Sequence, residues 1–133
     1  MQAQDVIYTG YFVDNPTELL KQFPPKHENV YAHHSTNVFK PTSLDNFQVG
    51  QKTKLKIIGR ISDEQGDALL VENPKSGNIH PHITLSCVQG VAPVYANTLI
   101  QNATPEQKEM FTEPFYVDVT EGCVLKKGDV ILS

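Results

Sequence analysis

His80-Pro81-His82-Ile83-Thr84-Leu85-Ser86 alternates apolar with polar residues, and a period of two predicts a β-strand with one buried face. Residues two apart on a strand project to the same side. His82 and Thr84 are therefore expected together on one face, with Ile83 and Leu85 on the other. An imidazole beside a hydroxyl is poor core material and good phosphate chemistry. A second His-x-Thr lies in Tyr31-Ala32-His33-His34-Ser35-Thr36-Asn37-Val38-Phe39, at His34 and Thr36, again in a segment read as strand. Two strands distant in sequence are thus predicted to face each other across a small cleft. By alternation His33 should face away from His34, in a packing or supporting role. His80 shares the parity of His82 and is a candidate for the cleft mouth.

Working outward, Asp5–Val13 is rich in β-branched and aromatic residues and reads as a first strand. Asn15-Pro16-Thr17-Glu18 opens a short helix: Asn15 can cap, and Pro16 suits the first helical position. Leu19, Leu20 and Phe23 supply its buried stripe, and Pro24-Pro25 ends it. A continuous strand is expected over Val30–Phe39. Lys52–Ile58 alternates basic and apolar residues, which places Lys52, Lys54 and Lys56 on a solvated sheet edge. Asp63–Asp67 reads as a hairpin turn returning into Ala68–Glu72, and Asn73–Asn78 as a surface turn. Val94–Asn102 is expected to be a short helix. Phe115–Val119 and Val124–Ser133 are expected to be closing strands around a turn at Lys126–Asp129.

The 133 residues suit one domain with a real core, 1–133, and 39% hydrophobic with 20% charged residues is ordinary for a water-soluble protein. No apolar run suits a membrane span, and the N-terminus lacks the layout of a secretory signal, so a cytoplasmic protein is expected. Cys87 and Cys123 show no metal-like spacing and read as small packed residues in a reducing compartment. Net charge is −4 and Arg60 is the sole arginine. A binder of long duplex nucleic acid is normally basic, so that class is disfavoured, whereas a small nucleotide or an RNA terminus needs only a local pocket. Tyr8, Tyr11 and Tyr95 are candidates to stack on a base. Lys40 and Arg60 are candidates to contact phosphate, although nothing in their spacing points to it.

Two imidazoles flanking a phosphodiester form a complete acid–base apparatus. One neutral histidine takes a proton from the attacking oxygen, and the other, protonated, gives one to the leaving oxygen. Hydroxyls and backbone N–H groups can hold the non-bridging oxygens. Such a site needs no metal and no cofactor. Its expected signature is a bell-shaped pH profile with both limbs near the ordinary imidazole pKa of about 6.5. A zinc site built from His33, His34, His80 and His82 is a competing arrangement, but no carboxylate or thiol completes it.

The surroundings carry a resemblance. Tyr8-Thr9-Gly10-Tyr11-Phe12, the helix with Leu19-Leu20, Phe23-Pro24-Pro25-Lys26-His27 and the His34-x-Thr36 strand resemble, in that order, the opening of a 2H phosphoesterase domain. Leu55–Arg60, Ala68–Val71, Pro81–Ser86 and Gly90-Val91-Ala92-Pro93-Val94-Tyr95-Ala96-Asn97 resemble its continuation, in a cyclic-phosphodiesterase-like subgroup found alone and near RNA-repair ligases. The resemblance spans about residues 6 to 102. It implies a bilobal α+β fold with antiparallel sheets and few short helices around a central cleft. It also implies metal-independent hydrolysis of a 2′,3′-cyclic phosphate, a 2′–5′ linkage or a cyclic (oligo)nucleotide, in RNA processing or in viral destruction of a nucleotide signal. His34 and His82 would be the catalytic pair and Thr36 and Thr84 the phosphate holders, with Tyr11 and Ser86 as further substrate-binding candidates. Ser35 stands where an apolar residue is usual, which implies a less buried first motif strand. The alternatives are a non-catalytic nucleotide or RNA-end binder and a protein-interaction module with a vestigial cleft.

Overall fold

Short-period alternation of apolar residues makes strand the dominant regular element in the computed structural model, which describes residues 1–133. In chain order the elements are β1 (Val6–Val13), α1 (Pro16–Gln22), β2 (Asn29–Val30), β3 (His34–Phe39), β4 (Lys52–Ser62), β5 (Gly66–Glu72) and β6 (His82–Cys87), followed by α2 (Tyr95–Asn102), β7 (Lys108–Leu125) and β8 (Val130–Ile131). The strands form one eight-stranded sheet in the order β2-β6-β5-β4-β7-β1-β3, with β8 on β7, and every pairing is antiparallel. The fold is therefore α+β, dominated by antiparallel sheet. Local signals act as read: Asn15 Oδ1 accepts the Glu18 N–H at 3.1 Å, and Pro16 opens α1. No helix is long and apolar enough to cross a membrane.

The expected continuous strand over Val30–Phe39 is instead two strands at opposite ends of the sheet. β2 pairs with β6, and β3 pairs with β1. Residues 31–33 make the transfer. Tyr31 and Ala32 donate their N–H groups to the Leu85 and Thr84 carbonyls at 2.8 and 2.9 Å, whereas the His33 carbonyl already accepts from Val13 at 2.8 Å. The turn between them falls on Ala32, which is fully buried with φ of 59°. A left-handed backbone costs an alanine about 1 kcal/mol, and the three flanking hydrogen bonds hold it there. The two end strands of the sheet are thus neighbours in sequence, and this link draws β3 and β6 together.

The closing-strand expectation is also revised. Lys108–Leu125 is a single strand of 18 residues running between β4 and β1, so β7 is the spine of the sheet. β4 pairs with β7 from Lys52 but with β5 only from Lys56, so Lys52 and Lys54 lie on an exposed stretch with a partner strand on one side alone, whereas from Lys56 onward β4 is interior. Lys54 Nζ meets Asp118 at 2.7 Å, and Lys52 Nζ lies 3.3 Å from Asp14. The main core combines Leu55 and Ile57 of β4, Leu69 and Val71 of β5, Ile83 and Leu85 of β6, and Val117 and Val119 of β7. Leu19 and Phe23 cover it from α1 and the residue after it. Ile83 and Leu85 are fully buried, so truncating either to alanine is expected to cost about 2–5 kcal/mol.

Candidate functional site

β6 is held against β5 by the register Leu70↔His82 and Ala68↔Thr84, which turns Ile83 and Leu85 into the core and leaves His82 and Thr84 on the opposite face. β3 is held against β1 by Phe12↔His34 and Gly10↔Thr36. Gly10 permits the close approach: a Cβ there would lie 2.9 Å from the Ser35 carbonyl oxygen. The two faces meet at a cavity of about 440 Å³, open to solvent, that His34, Thr36, His82 and Thr84 all line. The doubled motif therefore converges on one space.

The two imidazoles differ. His34 stacks on Tyr8 with centroids 4.8 Å apart and sits 5.4 Å from the Phe12 ring. Its Nδ1 is buried with no hydrogen-bond partner. Burial, then the positive potential of His33 and His82, pushes its pKa down to about 4. His82 is held by a hydrogen bond of 2.8 Å between its Nδ1 and the His80 carbonyl. A carbonyl only accepts, so Nδ1 carries the proton and Nε2 is left free. Burial lowers the His82 pKa, and the His80 carbonyl partly opposes that shift. Both imidazoles are thus depressed in the free protein.

Thr84 Oγ1 donates to the Pro93 carbonyl at 3.3 Å. Ser76 Oγ ties the turn after β5 to the Thr36 carbonyl at 2.9 Å. His80 is exposed and outside the lining, and acts on the site through its backbone oxygen.

Other candidates lie elsewhere. Tyr11 is a core residue, 7% exposed and absent from the cavity wall; it alternates with Tyr8 on β1, and Tyr8 is the one facing the cavity. Ser86 is fully buried, accepting from the His27 N–H at 3.1 Å and donating to Asp67 at 3.0 Å. Arg60 is committed to Asp67, and Tyr95 gives its hydroxyl to Asp63 at 2.5 Å. Ser35 is fully buried rather than exposed, because Asn73 Nδ2 donates to its hydroxyl at 3.0 Å. His33 corrects the alternation argument: it precedes β3, on the segment that changes partners, and lines the cavity. Tyr31, Phe39, Asn78 and Asn97 also line it. Only the aromatic character of Tyr31 and Phe39 offered a signal in the sequence.

No group of three or more His, Cys, Asp or Glu side chains is placed to share a metal ion. Both cysteines are free and buried. No protein-family model matches the chain, and no curated protein does.

Proposed function

We propose that the protein is a 2H-like phosphodiesterase hydrolysing a 2′,3′-cyclic phosphate, a 2′–5′ linkage or a cyclic nucleotide, on a small nucleotide or an RNA terminus. The single observation carrying this reading is the convergence of two imidazole–hydroxyl pairs on one open cavity. His34, kept neutral by burial, is the base: it takes the proton of the attacking water as oxygen bonds to phosphorus. His82, whose Nδ1–H rests on the His80 carbonyl, is the acid. The phosphate anion raises its proton affinity, and it protonates the leaving ribose oxygen as the P–O bond breaks. Thr36 holds a non-bridging oxygen, and Thr84 does the same once its hydroxyl turns from the Pro93 carbonyl to the phosphate. RNA-end processing and removal of a nucleotide signal are the settings this chemistry fits.

The test is turnover of 2′,3′-cyclic mononucleotides and cyclic di- and trinucleotides with and without EDTA. Turnover that survives EDTA and disappears in both His34→Ala and His82→Ala supports the enzyme. One observation favours a second reading, a non-catalytic nucleotide binder: both imidazoles are depressed, so the free cleft lacks a ready proton donor. Binding without turnover, retained in the double alanine variant, selects that reading.

A further inference from the structure

The cavity wall contains no lysine, arginine, aspartate or glutamate. Its three histidines are His33, His34 and His82, and its remaining polar side chains are Thr36, Thr84, Asn78, Asn97 and the tyrosine hydroxyls. A phosphate group is usually bound by fixed cations, because moving a dianion out of water without one is costly. Here the positive charge available to an anion is what the imidazoles acquire. The site of two paired motifs can answer one phosphate; a second phosphate within the same 440 Å³ finds amides and rings. Lys40 is exposed, with its Nζ 5.5 Å above the Phe39 ring. It stands outside the lining, where a solvated ammonium contributes little.

The rest of the wall suits an uncharged partner. Tyr8, Tyr31 and Phe39 present rings, and Phe39 is 64% exposed. Asn78 is held through its backbone, its N–H donating to Ser76 Oγ at 3.2 Å. Asn78 and Asn97 both line the cavity. Aromatic planes and carboxamides are the groups that stack on and hydrogen-bond a nucleobase.

We infer that the cleft selects by charge: it takes a singly charged phosphodiester on an otherwise neutral nucleoside and discriminates against nucleotides that bring a second phosphate into the cavity. Selectivity of this kind rests on the phosphodiester reading of the site. Cyclic mononucleotides and termini whose other phosphates lie outside the cleft are accepted. A 5′-phosphate or a pyrophosphate on the same nucleoside is not.

The experiment compares adenosine 2′,3′-cyclic monophosphate with its 5′-phosphorylated counterpart. It measures kcat and KM for each, and calorimetric binding of the corresponding slowly hydrolysed 2′,3′-cyclic phosphorothioates. The 5′-phosphate is expected to raise KM and Kd by about tenfold or more with little change in kcat. Asn97→Lys, which adds a fixed cation to the wall, is expected to narrow that ratio, and Asn97→Gln to leave it unchanged. Equal or tighter handling of the 5′-phosphorylated ligand overturns the charge selectivity and leaves the phosphodiesterase reading standing. Failure of both ligands to bind or turn over overturns the two together.

Discussion

Two buried polar clusters share β6, and they are built to opposite rules. Around Ser86, Arg60 spans Asp67 with Nε at 2.9 Å and a second nitrogen at 2.8 Å, and also reaches the Pro24 carbonyl at 2.6 Å. Asp67 further accepts from Ser86 Oγ at 3.0 Å and the Lys26 N–H at 3.2 Å. Together these bonds tie the loop after α1, β4, β5 and β6 to one another. Around His82 and His34 the pairing is partial: His82 Nδ1 is bonded to the His80 carbonyl, but His34 Nδ1 has no partner, and both residues line a cavity open to solvent. Buried polar groups are normally paired. Where pairing is complete the cluster ties strands together; where it is left incomplete beside a cavity, the residues are the ones to which the proposed function assigns a ligand. Serine, arginine and aspartate look as chemical in a sequence as histidine and threonine do, and only their partners separate the two roles.

Substitutions should divide along the same line. The largest expected effect is catalytic: His34→Ala or His82→Ala should cost roughly 10²–10⁴-fold in kcat, measured on cyclic nucleotide substrates, while the urea midpoint stays near wild type or rises. A lost midpoint in these variants would make the histidines scaffold instead. Next is Arg60→Ala, which strands a buried carboxylate and should destabilise by about 3–5 kcal/mol in urea unfolding, with KM of the folded fraction unchanged.

The pH dependence of stability follows from His34. Its folded pKa of about 4 lies below the ordinary imidazole value near 6.5. Between those values the unfolded chain binds a proton that the folded chain does not, so stability falls as pH drops through this window. Above it there is no contribution; by pH 4 the loss from this group reaches about 3 kcal/mol, and His82 acts in the same direction. His34→Phe should flatten the slope in a series of urea titrations. The smallest effects sharpen the comparison: Ser86→Ala should cost about 1 kcal/mol and Tyr11→Phe less, neither moving KM, whereas Tyr8→Ala should raise KM by removing a ring of the wall.

Much of the local structure was legible because its causes are local. The Asn15 cap, the Asp63 turn, with Asp63 Oδ1 accepting from Gln65 and Gly66 at 2.8 Å, and the alternation of β6 need only a few neighbouring residues. The placement of His34, Thr36, His82 and Thr84 in a common cavity followed from the doubled motif, because strand parity carries both members of each pair to one face. The substrate-binding candidate Ser86 shares the parity of His82 and Thr84 but lies further along β6, where Asp67 captures its hydroxyl. Parity misplaced His33 because it holds only within a strand, and the chain there is changing partners.

Strand-forming character, helix ends and the pairing of each imidazole with a hydroxyl were thus determined by the amino-acid sequence alone, since each depends on side chains a few residues apart. Tertiary structure alone decided that β7 is the spine, that Arg60 is sealed into an ion pair, and that Ala32 turns the chain from one end of the sheet to the other. Those outcomes depend on which strand pairs with which, a choice made by the packing of the whole core and by hydrogen bonds between residues far apart in the chain.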